Sequence, residues 1–303
     1  MLIPTTKAGQ AFAIALLAGI ILGTAVAVSR YAYDAGASGI VVAIVRSAVM
    51  TIAVAIGLRA ARIDWRLPPE LTALAALNGT LMAAMTYGNI GAVEFISVGL
   101  ASLLFFTFPI IIAVLVVALG MEQIRPAKLA TIVLAFVGLA ITLGASFGNV
   151  DIRGTTLSLV AALATAVNAI MVVRHFRTTN VFVATLHFSI YSFLVLALIA
   201  VFFADVRLPD TLLGWGGVFG VGILQTIGTP MYLFAIAQIG ALKAGMATNI
   251  QPLVAIIEAW YLFGEVLTPA QAAGGMLVLL SIAVMQWLDL RRVRAGTQAV
   301  QAK

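Results

Sequence analysis

The sequence predicts an all-α polytopic membrane protein in which ten transmembrane helices form two inverted five-helix repeats. Of its 303 residues, 63% are hydrophobic and 9% are charged, whereas soluble domains are about half apolar and about a quarter charged. The mean hydropathy of +1.14 agrees with this composition. Seventeen basic and eleven acidic residues are too few to cover soluble cores of this size in water. Lipid is therefore the expected solvent for most of the surface.

Ten apolar runs have about the length of ~20 residues that an α-helix needs to cross a hydrocarbon core. They are longer than the alternating segments of roughly ten residues that are typical of membrane β-barrels. Charges, prolines or glycines separate them, and no stretch between them is long enough for a soluble domain. The predicted helices are, in chain order, residues 8–28, 39–58, 71–93, 98–119, 129–146, 155–173, 182–203, 212–235, 241–263 and 270–288.

The first run resembles a secretory signal peptide, because Lys7 precedes it and residues 25–27 are small enough for a cleavage site. Its apolar stretch is longer than the core of a typical signal, and its removal would break the repeat described below. We therefore interpret it as the first transmembrane helix.

Basic residues predict the orientation of the chain. With a cytoplasmic N-terminus, thirteen of the seventeen basic residues lie on the inner side and Arg46 lies within a helix; Arg30, Arg153 and Arg207 are on the outer side. Inner loops of membrane proteins carry such an excess of Lys and Arg. Both termini are therefore predicted to be cytoplasmic, in a bacterial-type inner membrane.

Several function classes are excluded at this stage. The net charge is +6, but the basic residues lie singly or in short clusters, so nucleic acid is not an expected partner. The chain has no cysteine, and it contains no P-loop, zinc-protease motif or metal-spaced carboxylate cluster. We therefore expect no ATP, metal or other cofactor. A G-x-S-x-G pattern at residues 144–148 lies far from either histidine in this topology, so we predict no enzyme.

The chain repeats itself at a shift of 143 residues, the difference between Pro109 and Pro252. The same shift superposes Glu122 on Glu265. Residues 1–148 and 149–290 are therefore predicted to be two five-helix repeats, followed by a basic cytoplasmic tail of residues 291–303 without ordered structure. Because five is an odd number, the two repeats must insert in opposite senses. This architecture is typical of secondary transporters.

These features resemble the EamA-type branch of the drug/metabolite transporter superfamily. The resemblance rests on the five-plus-five plan, on Arg46 within "VAIVRSAVM", and on a mid-helix Pro followed by Gly-Met-Glu at 120–122 and Phe-Gly-Glu at 263–265. It covers nearly the whole chain, and its specificity lies in the order and duplication of loose motifs. It implies a ten-helix carrier, often an exporter of amino acids or other metabolites. It also implies a central cavity formed by helices one, three, four, six, eight and nine.

Polar side chains inside the spans are the first candidates for substrate binding, because they are costly in lipid. Two stripes, spaced by three or four residues, each follow one helix face. Superposition of the repeats places three positions of one stripe on the other, which favours a shared cavity over the alternative of interhelical hydrogen bonds. The stripes are Asn78, Met82, Thr86 and Asn89 on helix three, and Gln225, Thr229 and Tyr232 on helix eight.

Three further residues complete the predicted binding set. Tyr87 lies beside the first stripe, Asn168 is the only amide of helix six, and Asn249 lies near Pro252 in helix nine. Pro109 and Pro252 are predicted hinges, because proline lacks an N–H and displaces the carbonyl four residues earlier. Packing contacts and simple kinks are the alternatives.

The charged residues in and near the spans receive different interpretations. Glu258 is the carboxylate most clearly inside a span, which suits proton coupling, although it could also pair with Arg46 or reach the interface. Arg46 lies about 11 Å inside helix two. The resemblance places this helix outside the cavity, so we predict a structural tie to a loop carbonyl or a carboxylate, with substrate binding as the alternative. Glu122 and Glu265 are predicted to hold the turns that follow them.

The sequence thus predicts a secondary transporter that moves small metabolites across the membrane by alternating access. The resemblance favours export of amino acids or related compounds. An importer of another metabolite class and a non-transporting scaffold or sensor component are the alternatives. The predicted partners are a small-molecule substrate and the lipid bilayer, and the sequence leaves the oligomeric state open.

Overall fold

The structure is a computed structural model that describes residues 7–92, 95–144, 151–203, 205–264 and 268–301. These residues form twelve α-helices and no β-strand. The helices are α1 (Lys7–Asp34), α2 (Gly39–Ala60), α3 (Pro69–Ala92), α4 (Val98–Phe105), α5 (Phe108–Ala118), α6 (Pro126–Leu143), α7 (Ile152–His175), α8 (Val181–Phe203), α9 (Leu212–Ile239), α10 (Ala241–Thr248), α11 (Gln251–Phe263) and α12 (Pro269–Gln301).

These helices make ten crossings, as predicted. Eight stretches of the described chain are long and apolar enough to span a membrane, and one of them, Gly99–Ala118, runs through both α4 and α5. The 24-residue α3 supplies another crossing. The last is formed by α10 and α11 together. Apolar side chains on the outer faces are well exposed, such as Ile56, Leu198 and Met276, which suits contact with lipid.

The contacts between helices follow the symmetry of two inverted repeats. The first helix of each repeat packs on the third helix of the other, as α1 on α9 and α7 on α3. The second helices, α2 and α8, pack together, and so do the fifth helices, α6 and α12. Each contact is thus matched by one in which the repeats are exchanged. Inverted-topology repeats produce this reciprocity, which confirms the predicted fold.

The fourth helix of each repeat is broken at the same place. α4 ends before residues 106–107 and α10 ends before residues 249–250, and the shift of 143 superposes the two breaks. The backbone tightens there, because the backbone N–H of Thr107 donates to Leu104 O at 3.2 Å and the backbone N–H of Asn249 donates to Met246 O at 3.2 Å. These bonds span three residues in place of four, as in a 3₁₀-helix.

Proline explains the position of both breaks. Pro109 and Pro252 lie at the second position of α5 and α11, where the missing N–H removes no intrahelical bond. Among the described residues, no hydrogen bond is accepted by the carbonyl of Phe105 or Thr248, four residues before each proline. By contrast, α9 continues through Pro230.

The C-terminal segment differs from its prediction. Residues 291–301 were expected to be without order, but α12 continues through them to Gln301. Arg, Ala and Gln are good helix formers and no proline interrupts the segment, so a helix already formed in the membrane can extend beyond it.

α6 and α12 approach so closely that only glycine fits between them. A Cβ atom placed on Gly274 would lie 2.6 Å from the backbone oxygen of Gly138 and 2.6 Å from the backbone nitrogen of Thr142. Backbone atoms cannot give way as a flexible side chain can. Small residues at membrane helix contacts allow this kind of approach.

We expect Gly274→Ala to destabilise the protein by about 1–3 kcal/mol, because the added methyl group forces α6 and α12 apart. The thermal unfolding midpoint of the purified protein in detergent measures the effect. Gly216→Ala is the matched control, since a Cβ at Gly216 in α9 would meet nothing within 4 Å. An equal midpoint for the two variants would contradict the predicted contact.

Candidate functional site

A cavity of about 170 Å³ lies in the middle of the bundle, between the two repeats. It is smaller than the roughly 300–1,000 Å³ of sites for drug-sized ligands, which suits a small metabolite. Its polar lining consists of Arg46, Ser47, Thr86, Thr165, Asn168, Gln225, Thr229, Tyr232, Thr248 and Gln251. Its apolar lining consists of Leu22, Val26, Met50, Met82, Met85, Phe105, Phe108 and Leu233.

Four residues of the predicted binding set line this cavity: Asn168, Gln225, Thr229 and Tyr232. They lie on α7 and α9, the first and third helices of the second repeat. On α3, the stripe contributes Met82 and Thr86. The side chain of Asn89 lies outside the described residues.

The other predicted residues lie away from the cavity lining. Asn78 is fully buried between helices. Tyr87 packs beside an apolar cluster that includes Ile40 and Leu196. Asn249 is also buried, and its side chain makes one weak polar contact among the described residues, 3.9 Å from Nδ2 to Met246 Sδ. This geometry does not support direct substrate contact by these three residues.

Asn78 and Asn168 form a polar tie between α3 and α7. Asn168 Nδ2 donates to Asn78 Oδ1 at 2.9 Å and to the Asn78 backbone oxygen at 3.3 Å, while Asn78 Nδ2 donates to Leu74 O at 3.2 Å. Asn168 therefore faces the cavity with its orientation fixed by the partner helix. Among the described residues its Oδ1 accepts no hydrogen bond, so a solute can use it.

The polar stripe on α9 holds two local contacts. Thr229 Oγ1 donates to Gln225 Oε1 at 3.1 Å, which directs the Gln225 side chain along the cavity wall. The Tyr232 hydroxyl lies beside Thr248, but no partner in the described chain satisfies it with normal hydrogen-bond geometry. An unsatisfied buried hydroxyl is costly, so this group is a ready partner for a polar atom of a solute.

Arg46 lies at the cavity, which corrects the prediction of a structural tie to a loop or a carboxylate. It donates from Nη2 to Thr86 Oγ1, and Thr86 in turn donates to Met82 O at 2.8 Å. The helix that the resemblance placed outside the central ring, α2, supplies Arg46, Ser47 and Met50 to the lining. The sequence signal for this face of α2 is a charge within a span, Arg46, with the polar Ser47 next to it and Met50 one turn later.

Residues beside the helix breaks also line the cavity. Phe108 and Gln251 begin α5 and α11, and Phe105 and Thr248 end α4 and α10. All four line the cavity. The unpaired carbonyls at both breaks belong to Phe105 and Thr248, so each break brings free backbone acceptors close to the cavity.

Glu258 lies outside the cavity, at the contact between α11 and α1. Thr24 Oγ1 lies 2.7 Å from Glu258 Oε1 and 3.1 Å from Ile20 O. Glu258 Oε2 is buried and has no hydrogen-bond partner among the described residues. The predicted alternative of an ion pair with Arg46 is not what the structure shows.

The predicted structural carboxylate that the structure describes, Glu122, lies in the loop between α5 and α6. Glu122 pairs with Lys128, with an N–O distance of 2.5 Å, across the turn that leads into α6. Glu265 lies outside the described residues.

Apolar side chains fill the bundle between the cavity and the side that holds the start of α1. This cluster includes Phe12, Ile112, Ile236, Leu242 and Met246, each at most 6% exposed. Gly245 of α10 lies against Phe108 and Ile112 of α5, so the two broken helices pack closely here. The cavity is therefore closed off from this side by packed side chains.

A second cavity of about 380 Å³ lies at the ends of α7, α8 and α9 on the same side of the bundle. Its lining is mostly apolar, with Arg177, Asn180 and Gln238 among its polar residues. None of the predicted site residues lines it. The convergence of polar groups from both repeats therefore distinguishes the central cavity as the candidate site.

Comparisons with known proteins agree with this architecture. Residues 10–144 and 152–287 match a family model described as the EamA-like transporter family. A protein of Synechocystis sp. named an uncharacterized transporter is 25% identical over 252 residues, which are 78% of this chain and 70% of that protein. A solved crystal structure of a protein has a TM-score of 0.77 at 18% identity and covers 92% of this chain and 98% of that chain. This last likeness shows the fold alone.

Proposed function

Because the chain belongs to the EamA-like transporter family, we propose that this membrane transporter is a secondary carrier that exports amino acids or related small metabolites by alternating access. The solute binds in the central cavity and the two five-helix repeats rearrange around it. The membrane is the bacterial-type inner membrane, with both termini in the cytoplasm. The positive-inside distribution of Lys and Arg supports this orientation.

The observation that carries the proposal is the position of the cavity. It lies between the repeats and takes polar side chains from both of them, such as Thr86 on α3 and Gln225 on α9. Binding sites of inverted-repeat transporters lie at this interface, near the middle of the bilayer. Packed side chains close one side of the cavity, which supports a carrier that exposes its site to one side at a time.

Counterflow in proteoliposomes tests this function. Vesicles are preloaded with a mixture of unlabelled amino acids and then challenged with individual labelled ones. We expect specific, saturable exchange of at least one amino acid. Vesicles that contain folded protein but exchange none of a wider panel of amino acids, organic acids, amines and sugars would favour the alternative of a non-transporting scaffold or sensor.

We expect Gln225→Leu to reduce counterflow by about tenfold or more. Leucine is nearly the same size as glutamine, but it lacks the amide group that hydrogen-bonds to the solute in the cavity. The initial rate of exchange, at equal amounts of reconstituted protein, measures the effect. Thr226→Val is the matched control on the same helix, since Thr226 donates to Gly222 O at 2.8 Å and does not line the cavity.

Asn168→Leu is expected to have a similar effect on exchange together with a loss of stability, because it leaves the buried Asn78 without its partner.

If Gln225→Leu exchanged as fast as Thr226→Val, Gln225 would not be part of the binding site.

A further inference from the structure

The charge of the central cavity is unbalanced. Among the described residues that line it, Arg46 carries the only formal charge, and no Asp or Glu is present. The carboxylates of α1 and α11 are engaged elsewhere: Glu258 contacts Thr24, and Asp34 lies 3.6 Å from Arg30. A guanidinium within a span without an anion beside it is costly. An anionic group on the solute would compensate this charge.

The geometry of Arg46 suits such a group. A guanidinium has five N–H donors in a planar fork, and among the described residues only Thr86 accepts a hydrogen bond from it. Thr86 uses its own proton on Met82 O, so it acts as a neutral acceptor that orients the guanidinium without neutralising it. The remaining donors are available to the cavity. Arg–carboxylate pairs form two parallel charge-assisted hydrogen bonds with this fork.

The rest of the lining describes the remainder of the solute. Methionine side chains of α2 and α3 and the rings of Phe105 and Phe108 provide an apolar wall, while Gln225 and Asn168 provide uncharged polar groups. With no acidic side chain in the described lining, a solute whose only charge is positive has no ionic partner and meets repulsion from Arg46.

We propose that the transported solute carries a carboxylate that pairs with Arg46. The rest of the solute is uncharged or apolar; if the solute is an amino acid, neutral acceptors hold its ammonium group. This inference rests on the proposed transport function and narrows its substrate class. It excludes simple amines and neutral sugars as the main solutes.

The test compares labelled compounds that share the branched apolar chain of leucine in counterflow: leucine, its deaminated counterpart 4-methylpentanoate, and its decarboxylated counterpart 3-methylbutylamine. The same vesicles are also challenged with the panel of amino acids, organic acids, amines and sugars, so that any exchanging solute is found. For that solute, its primary amide is added as a competitor. We expect exchange only by compounds with a carboxylate. The amide should compete about 100-fold more weakly than the carboxylate solute, as when one partner of a buried charge pair is removed.

Variants of Arg46 provide the second part of the test. Arg46→Gln should raise the half-saturating concentration of the carboxylate solute by about 100-fold, whereas Arg46→Lys, which keeps the charge but not the fork, should raise it by a smaller factor. Arg207→Gln is the matched control, since Arg207 is exposed and pairs with Asp205 at 3.0 Å. If Arg46→Gln does not fold, the comparison of carboxylate and amide on the unchanged protein still tests whether the solute needs a carboxylate.

The outcomes separate this inference from the proposed function. Exchange confined to amines or sugars, or equal competition by carboxylate and amide, would overturn the inference while leaving a working carrier. An unchanged half-saturating concentration in Arg46→Gln would also overturn it. Absence of exchange across the whole panel would count against the carrier itself.

Discussion

We expect Glu258→Gln to abolish solute accumulation driven by a pH gradient while leaving exchange between equal solute pools largely intact. Accumulation against a gradient requires that proton movement be coupled to solute movement. Exchange at equal pH on both sides does not require it. The same variant therefore gives a near-complete loss in one assay and little change in the other, which distinguishes loss of coupling from loss of binding.

The contacts of Glu258 support this role. The Thr24 hydroxyl has one proton but two acceptors nearby, Ile20 O at 3.1 Å and Glu258 Oε1 at 2.7 Å. If Glu258 is protonated, its own proton bonds to Thr24 and the Thr24 proton bonds to Ile20 O, so both contacts are satisfied. If it is ionised, Thr24 must leave Ile20 O to serve it. Glu258 Oε2 is buried and has no hydrogen-bond partner among the described residues, so a change in the contact between α1 and α11 would change what this oxygen meets.

The surroundings of Glu258 depend on how α1 packs on α11. Arg30 of α1 reaches α11, where its guanidinium lies 4.6 Å from the centre of the Phe263 ring. This ring is at the end of α11, more than one turn beyond Glu258. A change in the packing of α1 on α11 would therefore alter both the hydrogen bond and the electrostatic environment of the carboxyl group.

Glu122→Gln is the matched control, because Glu122 lies in the loop before α6 and pairs with Lys128, and its substitution should not affect accumulation. Both variants are measured in vesicles with an imposed pH difference and again with equal pH inside and outside. Normal accumulation by Glu258→Gln would exclude it as the coupling residue. Loss of both accumulation and exchange would assign it to folding or to binding.

Much of the fold follows from the sequence because the bilayer imposes strict rules. The lengths of the apolar runs determine the number of crossings, and the duplicated Pro109 and Pro252 reveal the repeat. Helix ends were less predictable: α12 extends through the basic tail, because local helix propensity, which hydropathy does not report, decides where a helix ends outside the membrane.

The site was only partly predictable, because lining a cavity depends on the rotation of each helix and on its neighbours. On α9, the spacing of three and four residues puts Gln225, Thr229 and Tyr232 on one helix face, and all three line the cavity. Asn78 belongs to the same pattern on α3 but faces Asn168 across a helix contact. No periodicity within one helix reveals such a partner. Arg46 was misplaced because the position of its helix was taken from the resemblance.

We expect the double variant Pro109→Ala, Pro252→Ala to bind solute with nearly normal affinity but to exchange it at least about tenfold more slowly. Alanine restores two N–H groups that can bond to the unpaired carbonyls of Phe105 and Thr248. It is also preferred over proline in a helix interior by about 3 kcal/mol. The fourth helix of each repeat would then tend to run straight through its break.

The position of the breaks explains why rate and not affinity should change. Each break lies beside the cavity, and the half-helices α5 and α10 pack against each other where one side is closed. Opening that side requires them to move relative to α4 and α11, and a break allows this motion without bending an intact helix. The cavity groups themselves are left in place by the substitutions.

Pro230→Ala is the matched control for proline removal, since Pro230 lies within α9 and does not interrupt it. Exchange rates at saturating solute, together with half-saturating concentrations, are compared for the single, double and control variants. Because the breaks are related by the pseudo-two-fold axis, each single variant should slow exchange and the double variant should slow it further. Unchanged exchange by the double variant would show that both breaks are fixed features of packing, and the rearrangement would then have to occur at contacts between whole helices.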